Sequence, residues 1–112
     1  MTKTDTERAI VTGADTNGLG DALETKGVDV RRIEGIVSAS RLREAGIEDA
    51  TLLVLTEMDE ATAIPVAREL RSDLRIVTYA ERSLPGFASG QTDLAIDPAL
   101  LSPAIVAEEL LA

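Results

Sequence analysis

At 112 residues, with 45% apolar content but one Phe, one Tyr and no Trp, the chain is expected to fold as a single domain over residues 1–112 around Ala, Val, Leu and Ile. It has no Cys and no His, which excludes disulfides, thiol nucleophiles, imidazole acid/base chemistry and the usual zinc sites. The net charge of -9, from 20 acidic against 11 basic residues, argues against nucleic acid as a partner, because phosphate binding needs clustered Lys and Arg.

Nine of the basic residues are Arg and two are Lys, and the acidic surplus resembles that of cytoplasmic proteins from salt-accumulating archaea, where it keeps a protein soluble in concentrated salt. Met1 to Glu7 is polar, and no apolar run approaches the ~20 residues of a membrane span. The expectation is a cytoplasmic, halophilic protein with no membrane partner.

Arg8 to Lys26 (RAIVTGADTNGLGDALETK) opens with a short apolar run, passes a loop with glycines at 13, 18 and 20, and enters a segment with Leu19, Ala22 and Leu23 on one helical face. Gly27 is its stop. Val28 to Ile33 alternates apolar and polar residues as a strand near a sheet edge does, ending at Glu34-Gly35. Ser38 and Ser40 offer N-caps for a short helix through Leu42 and Ala45, which Gly46 closes. Thr51 to Thr56 is the longest apolar run and reads as the central strand, covered on both faces. Asp59 is expected to cap the next helix, with Ala63, Val66, Ala67 and Leu70 on one face; Pro65 either kinks it or pulls its start forward. Leu74 to Tyr79 is a fourth strand. Ser83 to Gly90 is a turn with Phe87 beneath it, Asp93 to Ile96 a fifth strand, and Pro103 to Leu111 a closing helix behind Ser102.

Strands alternating with helices predict right-handed parallel crossovers: an α/β three-layer, Rossmann-like sandwich with a five-stranded parallel sheet in the order 2-1-3-4-5. In that order the crevice opens above the C-terminal ends of strands one and three, between Gly13–Gly18 and Thr56–Asp59. A glycine turn into a helix leaves unpaired N–H groups at the positive end of the helix dipole, which makes a phosphate-bearing nucleotide the first ligand to consider. The candidate binding residues are Gly13, Asp15, Asn17, Gly18 and Gly20 on the loop, Glu34, Thr56 and Tyr79. Each has a plainer reading: turn geometry for the glycines, a solvated strand end for Glu34, edge packing for Tyr79. Glu57, Asp59 and Glu60 read as charges complementing a helix start rather than as a metal site.

The run Leu42 to Ala80 (LREAGIEDATLLVLTEMDEATAIPVARELRSDLRIVTYA), with Leu94 to Leu101 (LAIDPALL), resembles the regulator-of-potassium-conductance family, the RCK or TrkA N-terminal type. The resemblance implies a Rossmann domain that senses NAD or another adenine nucleotide, with Glu34 bonding ribose hydroxyls. Asp15 stands where that family's GxGxxG loop has its second glycine, so Asp15→Gly is expected to tighten dinucleotide binding. The family's next helix and strand have no counterpart between Glu34 and Ser38, which shortens the adenine side.

Other motifs fail on particular residues. Gly13-x4-Gly18 has P-loop spacing, but Leu19-Gly20 replaces the required Lys and hydroxyl. A short-chain dehydrogenase needs Lys where Ser83 follows Tyr79. A response-regulator receiver shares the strand order, yet Thr56-Glu57 after strand three and Asp97 after strand five lack its phosphoacceptor Asp and its Lys. The leading expectation is therefore a non-catalytic nucleotide-binding or sensing module, regulatory for ion transport by family likeness. The alternatives are a degenerate Rossmann interaction module that has lost its nucleotide and binds a partner protein, and a small NAD(P)-dependent oxidoreductase component. Wide apolar faces on the Pro65 helix and the C-terminal helix predict a homodimer.

Overall fold

The structure, a computed structural model, describes residues 7–57, 61–80 and 92–111. Its elements follow in the order β1 (Arg8–Thr12), α1 (Leu19–Thr25), β2 (Asp29–Ile33), α2 (Ala39–Glu44), a 3-10 turn (Ile47–Asp49), β3 (Leu52–Leu55), α3 (Ala63–Leu70), β4 (Arg75–Tyr79), β5 (Leu94–Ile96) and α4 (Pro103–Leu111). All strand pairs are parallel, and the sheet order is β2-β1-β3-β4-β5, as the alternation of strands and helices predicts.

Period-two alternation sends each strand's side chains to opposite faces, and two buried clusters result. Ile10, Ile33, Leu53, Leu55 and Ile76 pack with Leu42 of α2 and Ile64 and Ala67 of α3. Ala9, Val11, Leu52, Val54, Val77 and Tyr79 pack with Leu19 and Leu23 of α1 and Val106, Ala107 and Leu110 of α4. β3 is buried at all four residues, as its unbroken apolar run requires, and each such Leu or Val stabilises the fold by roughly 1.5–3 kcal/mol.

The helix ends are set by local chemistry. At the end of α1, Gly27 takes φ 91°, and Val28 N–H donates to the Leu23 carbonyl at 3.1 Å, a left-handed closure that favours glycine. Ser38 caps α2 by accepting from Arg41 N–H at 3.2 Å, and Ser102 caps α4 by accepting from Ile105 N–H at 3.4 Å, with Pro103 next in the chain. α3 begins at Ala63, so Pro65 falls in the first turn, where its missing N–H has no intrahelical partner to lose. The Asp59 cap, Glu60, and the Ser83–Gly90 turn with Phe87 lie outside the described residues. The 3-10 turn, absent from the sequence reading, starts after Gly46 at φ 89° and carries the chain from α2 into β3.

Arginines bind the connections together. Arg41 donates to the Glu34 and Ile36 carbonyls at 2.7 and 3.0 Å, Arg71 to those of Ile47 and Glu48 at 3.2 and 2.6 Å, and Arg75 to that of Leu110 at 3.0 Å. Arg68 donates to the carbonyls of Ser72 and Leu74 and meets Asp93 at 3.1 Å. Among the described residues no helix is long and apolar enough to cross a membrane.

The sheet order also corrects one expectation. A dinucleotide fold of the 3-2-1-4-5-6 kind carries a further strand outside β2, whereas here α2 leads from β2 directly to β3, beside β1 on its other side. Among the described residues no strand lies outside β2, and the stretch from Glu34 to Ser38 leads straight into α2.

Candidate functional site

The crevice lies above the C-terminal ends of the paired strands β1 and β3, and two threonines and an aspartate organise its floor. Thr56, just after β3, donates its hydroxyl to the Thr12 carbonyl at 2.6 Å and accepts the Asp15 N–H at 3.1 Å. Its backbone N–H reaches the same Thr12 carbonyl at 3.1 Å. The hydroxyl therefore ties the β1 loop to the β3 loop. Gly13 sits against it with φ 89°, and a Cβ there would run into the Thr56 hydroxyl and the Glu57 side chain.

Asp15 is the centre of the loop. Its backbone is left-handed at φ 53°, a conformation that Asp tolerates better than most residues, and its side chain is 2% exposed. The carboxylate turns back onto the start of α1 and accepts Leu19 N–H at 3.0 Å and Gly20 N–H at 2.8 Å. Arg32 of β2 covers it, donating to the same Asp15 oxygen at 3.1 Å and to Asp21 at 2.8 Å. Gly20 makes room for this seat: a Cβ there would lie 2.7 Å from the Arg32 guanidinium and 2.9 Å from the Asp15 carboxylate.

The sequence places an external phosphate at the N-terminus of α1, but the chain supplies the anion itself. A carboxylate bonded to the free amides satisfies them and complements the helix dipole, as a bound phosphate would. Asp15 is therefore a buried cap under an arginine, not a side chain standing in the path of a pyrophosphate.

The other predicted site residues are dispersed. Gly18 makes the left-handed entry to α1 at φ 77°, its N–H bonded to the Asp15 carbonyl at 2.9 Å, and Asn17 lies exposed in the turn before it. Glu34 is exposed after β2. With Gly13, Ala14, Gly35 and Glu57 it lines a shallow cavity of about 320 Å³ at the mouth of the crevice. Tyr79 is 1% exposed and faces α1 and α4 rather than the crevice; its hydroxyl donates to the Leu101 carbonyl at 2.6 Å. Burial, and then the Asp15 charge, push its phenol above the ordinary range. A ring so enclosed has no face free for a base. Arg32, which the sequence reading passed over, completes the cluster; its signal was a charged residue two positions before Glu34 on a strand next to the loop. Among the described residues no group of three or more His, Cys, Asp or Glu side chains could hold a metal ion.

This architecture is similar to solved receiver structures. An orphan response regulator of H. pylori, HP1043, superposes with a TM-score of 0.73 at 13% identity over 94% of this chain and 93% of that one. A CheY-like receiver domain protein from Methanospirillum hungatei JF-1 gives 0.69 at 18% over 96% and 92%. An atypical orphan response regulator, described as having a phosphorylation-independent regulatory mechanism, gives 0.66 at 12% over 91% and 90%. At these identities the likeness is one of fold. It overturns the resemblance to the RCK or TrkA N-terminal family, and with it the nucleotide-sensing reading, its degenerate-Rossmann and oxidoreductase alternatives, and the Rossmann and NAD-binding labels. The physical reason is the one already seen in the sheet: the order 2-1-3-4-5 ends at β2, which is the flavodoxin-like and CheY-like arrangement. No curated protein matches the chain. One family model does match, from residue 9 in β1 to residue 110 in α4, and on that match across the whole sheet the chain belongs to a family of unknown function, DUF7126.

Proposed function

We propose that this chain is a receiver-type signalling module that acts through protein contact and not through an aspartyl phosphate. The observation that carries the reading is Thr56. In a receiver the phosphoacceptor aspartate ends the third strand, and here that place holds a threonine whose hydroxyl is bonded on both sides, to Thr12 and Asp15. Asp15, whose N–H that hydroxyl accepts, is 2% exposed and its carboxylate is held by two amides and Arg32, so it offers no free oxygen for attack on phosphorus. Asp97 follows β5, with Pro98 and Ala99 after it, where a receiver carries its lysine; the Asp97 carboxylate accepts Ala99 N–H at 2.9 Å. One of the receiver-like structures is described as phosphorylation-independent, which supports the reading by analogy.

The test is treatment with acetyl phosphate or phosphoramidate and magnesium, followed by intact mass, and with beryllofluoride, followed by amide NMR. The expected result is no phosphoryl adduct and no shift in the Gly13, Asp15 or Thr56 amides. A stoichiometric, hydroxylamine-labile phosphoryl group would overturn the proposal.

A further inference from the structure

β2 ends the sheet, and its pairing with β1 fixes which backbone groups face outwards. Asp29 N–H donates to the Glu7 carbonyl at 2.8 Å, and the Ile33 carbonyl accepts Gly13 N–H at 3.2 Å. Asp29, Arg31 and Ile33 therefore bond inwards to β1, and the N–H and C=O groups of Val30 and Arg32 point away from the sheet. Among the described residues no strand lies beyond them. A groove of about 540 Å³ follows this edge, walled by Glu24 of α1 and by Arg41 and Glu44 of α2, with Arg31 and Arg32 along its floor.

Charged residues on an edge strand ordinarily guard it against pairing with another chain. Here the guard cancels itself in one arrangement. Two antiparallel copies of β2 can bond through Val30 and Arg32 in three registers. Pairing Val30 with Arg32 of the partner subunit puts Arg31 opposite itself, and centring on Arg32 puts two arginines opposite each other. Centring on Val30 instead places Asp29 opposite Arg31 of the partner subunit, twice. Like charges directly opposite destabilise a strand pair and unlike charges stabilise it, so only the Val30-centred register is favourable. Asp29 and Arg31 already pair within the chain at 3.0 Å, so the two copies would close an alternating ring of four charges.

We propose that β2 is a self-docking edge, through which two copies of this chain join antiparallel about Val30 into one continuous ten-stranded sheet. The triplet Asp29-Val30-Arg31 is self-complementary, an acid and a base on either side of an apolar residue that lies on the two-fold axis. The occupant is a second copy, as C2 symmetry requires of a patch complementary to itself. This inference stands apart from the receiver-type reading and gives the expected homodimer β2 as its surface in place of the helix faces: on those faces Ala63 and Ala67 of α3 and Val106 and Leu110 of α4 are buried in the core, while Ile105 is 47% exposed.

The experiment is sedimentation or light scattering of the full chain from micromolar to millimolar concentration. The wild type is expected to approach twice its 11.9 kDa mass. Val30→Pro removes one outward N–H without touching the β1 ladder, and is expected to weaken association at least tenfold. Arg31→Asp alone and Asp29→Arg alone place like charges opposite each other and should be monomeric, while an equimolar mixture of the two should recover the dimer. A monomeric wild type at millimolar concentration overturns the proposal. So does dimerisation of Val30→Pro or Arg31→Asp with wild-type affinity, or failure of the mixture when both variants show native circular dichroism. If Asp29→Arg does not fold, because Asp29 also holds Arg8 at 3.1 Å, the other two variants decide the matter: loss of the dimer supports the edge, and its retention refutes it.

Discussion

Replacing Asp15 by Asn tests whether that carboxylate is a structural cap. The substitution keeps the side-chain shape and the tolerance for φ 53°, so the backbone is not at issue. An Asn oxygen can accept Leu19 N–H or Gly20 N–H, but its amide nitrogen then faces the other donor. One buried N–H is left without an acceptor, at a cost of about 1–3 kcal/mol. Losing the charge against the helix dipole adds about 0.3–1 kcal/mol. The Arg32 bond adds little, since that side chain is 35% exposed and keeps Asp21. The total is about 1.3–4 kcal/mol. With an unfolding entropy of about 0.24 kcal/mol/K for 112 residues, the Tm should fall by roughly 5–17 °C. Thermal unfolding measures this, and hydrogen exchange should show faster opening at Leu19 and Gly20. Gly20→Ala should destabilise by the same route, although alanine is about 1 kcal/mol the better helix former, because its Cβ would displace both the carboxylate and the guanidinium. A Tm for Asp15→Asn within 2 °C of the parent, with unchanged exchange at both amides, would refute the capping argument.

Two further expectations concern bulk conditions. Asp29 and Asp73 are held below the usual carboxylate range chiefly by their hydrogen bonds from Arg31 and Arg71; for Asp93, burial pulls upwards but is outweighed by Ile76 N–H and the Arg68 guanidinium. Groups with lowered folded-state values stabilise the fold above their unfolded pKa of about 3.9, and that stability is lost as the pH falls through the folded values, so Tm should drop steeply below about pH 4. Asp93→Asn should flatten part of this limb; an identical acid slope in the variant would count against the assignment. Self-repulsion from the net charge of -9 should make Tm rise with KCl as the Debye length shrinks from about 10 Å at 0.1 M to about 3 Å at 1 M, and a flat dependence would remove the halophilic reading.

Much of the sheet was legible because parallel strands covered on both faces leave an unmistakable signal: Leu52 to Leu55 has no polar residue, and Gly27 and Gly46 stop helices where left-handed backbone is needed. The loop was legible as a place but not in its chemistry. Nothing in GADTNGLG says whether Asp15 points at solvent or folds back, because that depends on Arg32, which reaches it only once β2 lies beside β1. Tyr79 misled for a similar reason. Its position at the end of β4 suggested the crevice, but side-chain alternation along the strand turned it to the α1 and α4 face. The family resemblance rested on helix and strand patterns that parallel α/β sheets share, whereas the five-strand order ending at β2 was legible from the alternation of strands and helices itself.

The arginine clips give the composition a meaning that charge counting conceals. Arg41, Arg71 and Arg75 each spend guanidinium N–H groups on peptide carbonyls, and Arg8, Arg31 and Arg32 spend theirs on carboxylates of the same molecule. A guanidinium can serve two or three acceptors in one plane, which a lysine ammonium does with far less fixed geometry, so Arg at these positions follows from what the loops and strand ends require. Positive charge in this molecule works as internal mortar, and a survey of Arg→Lys exchanges should find them costly at sites no ligand ever touches.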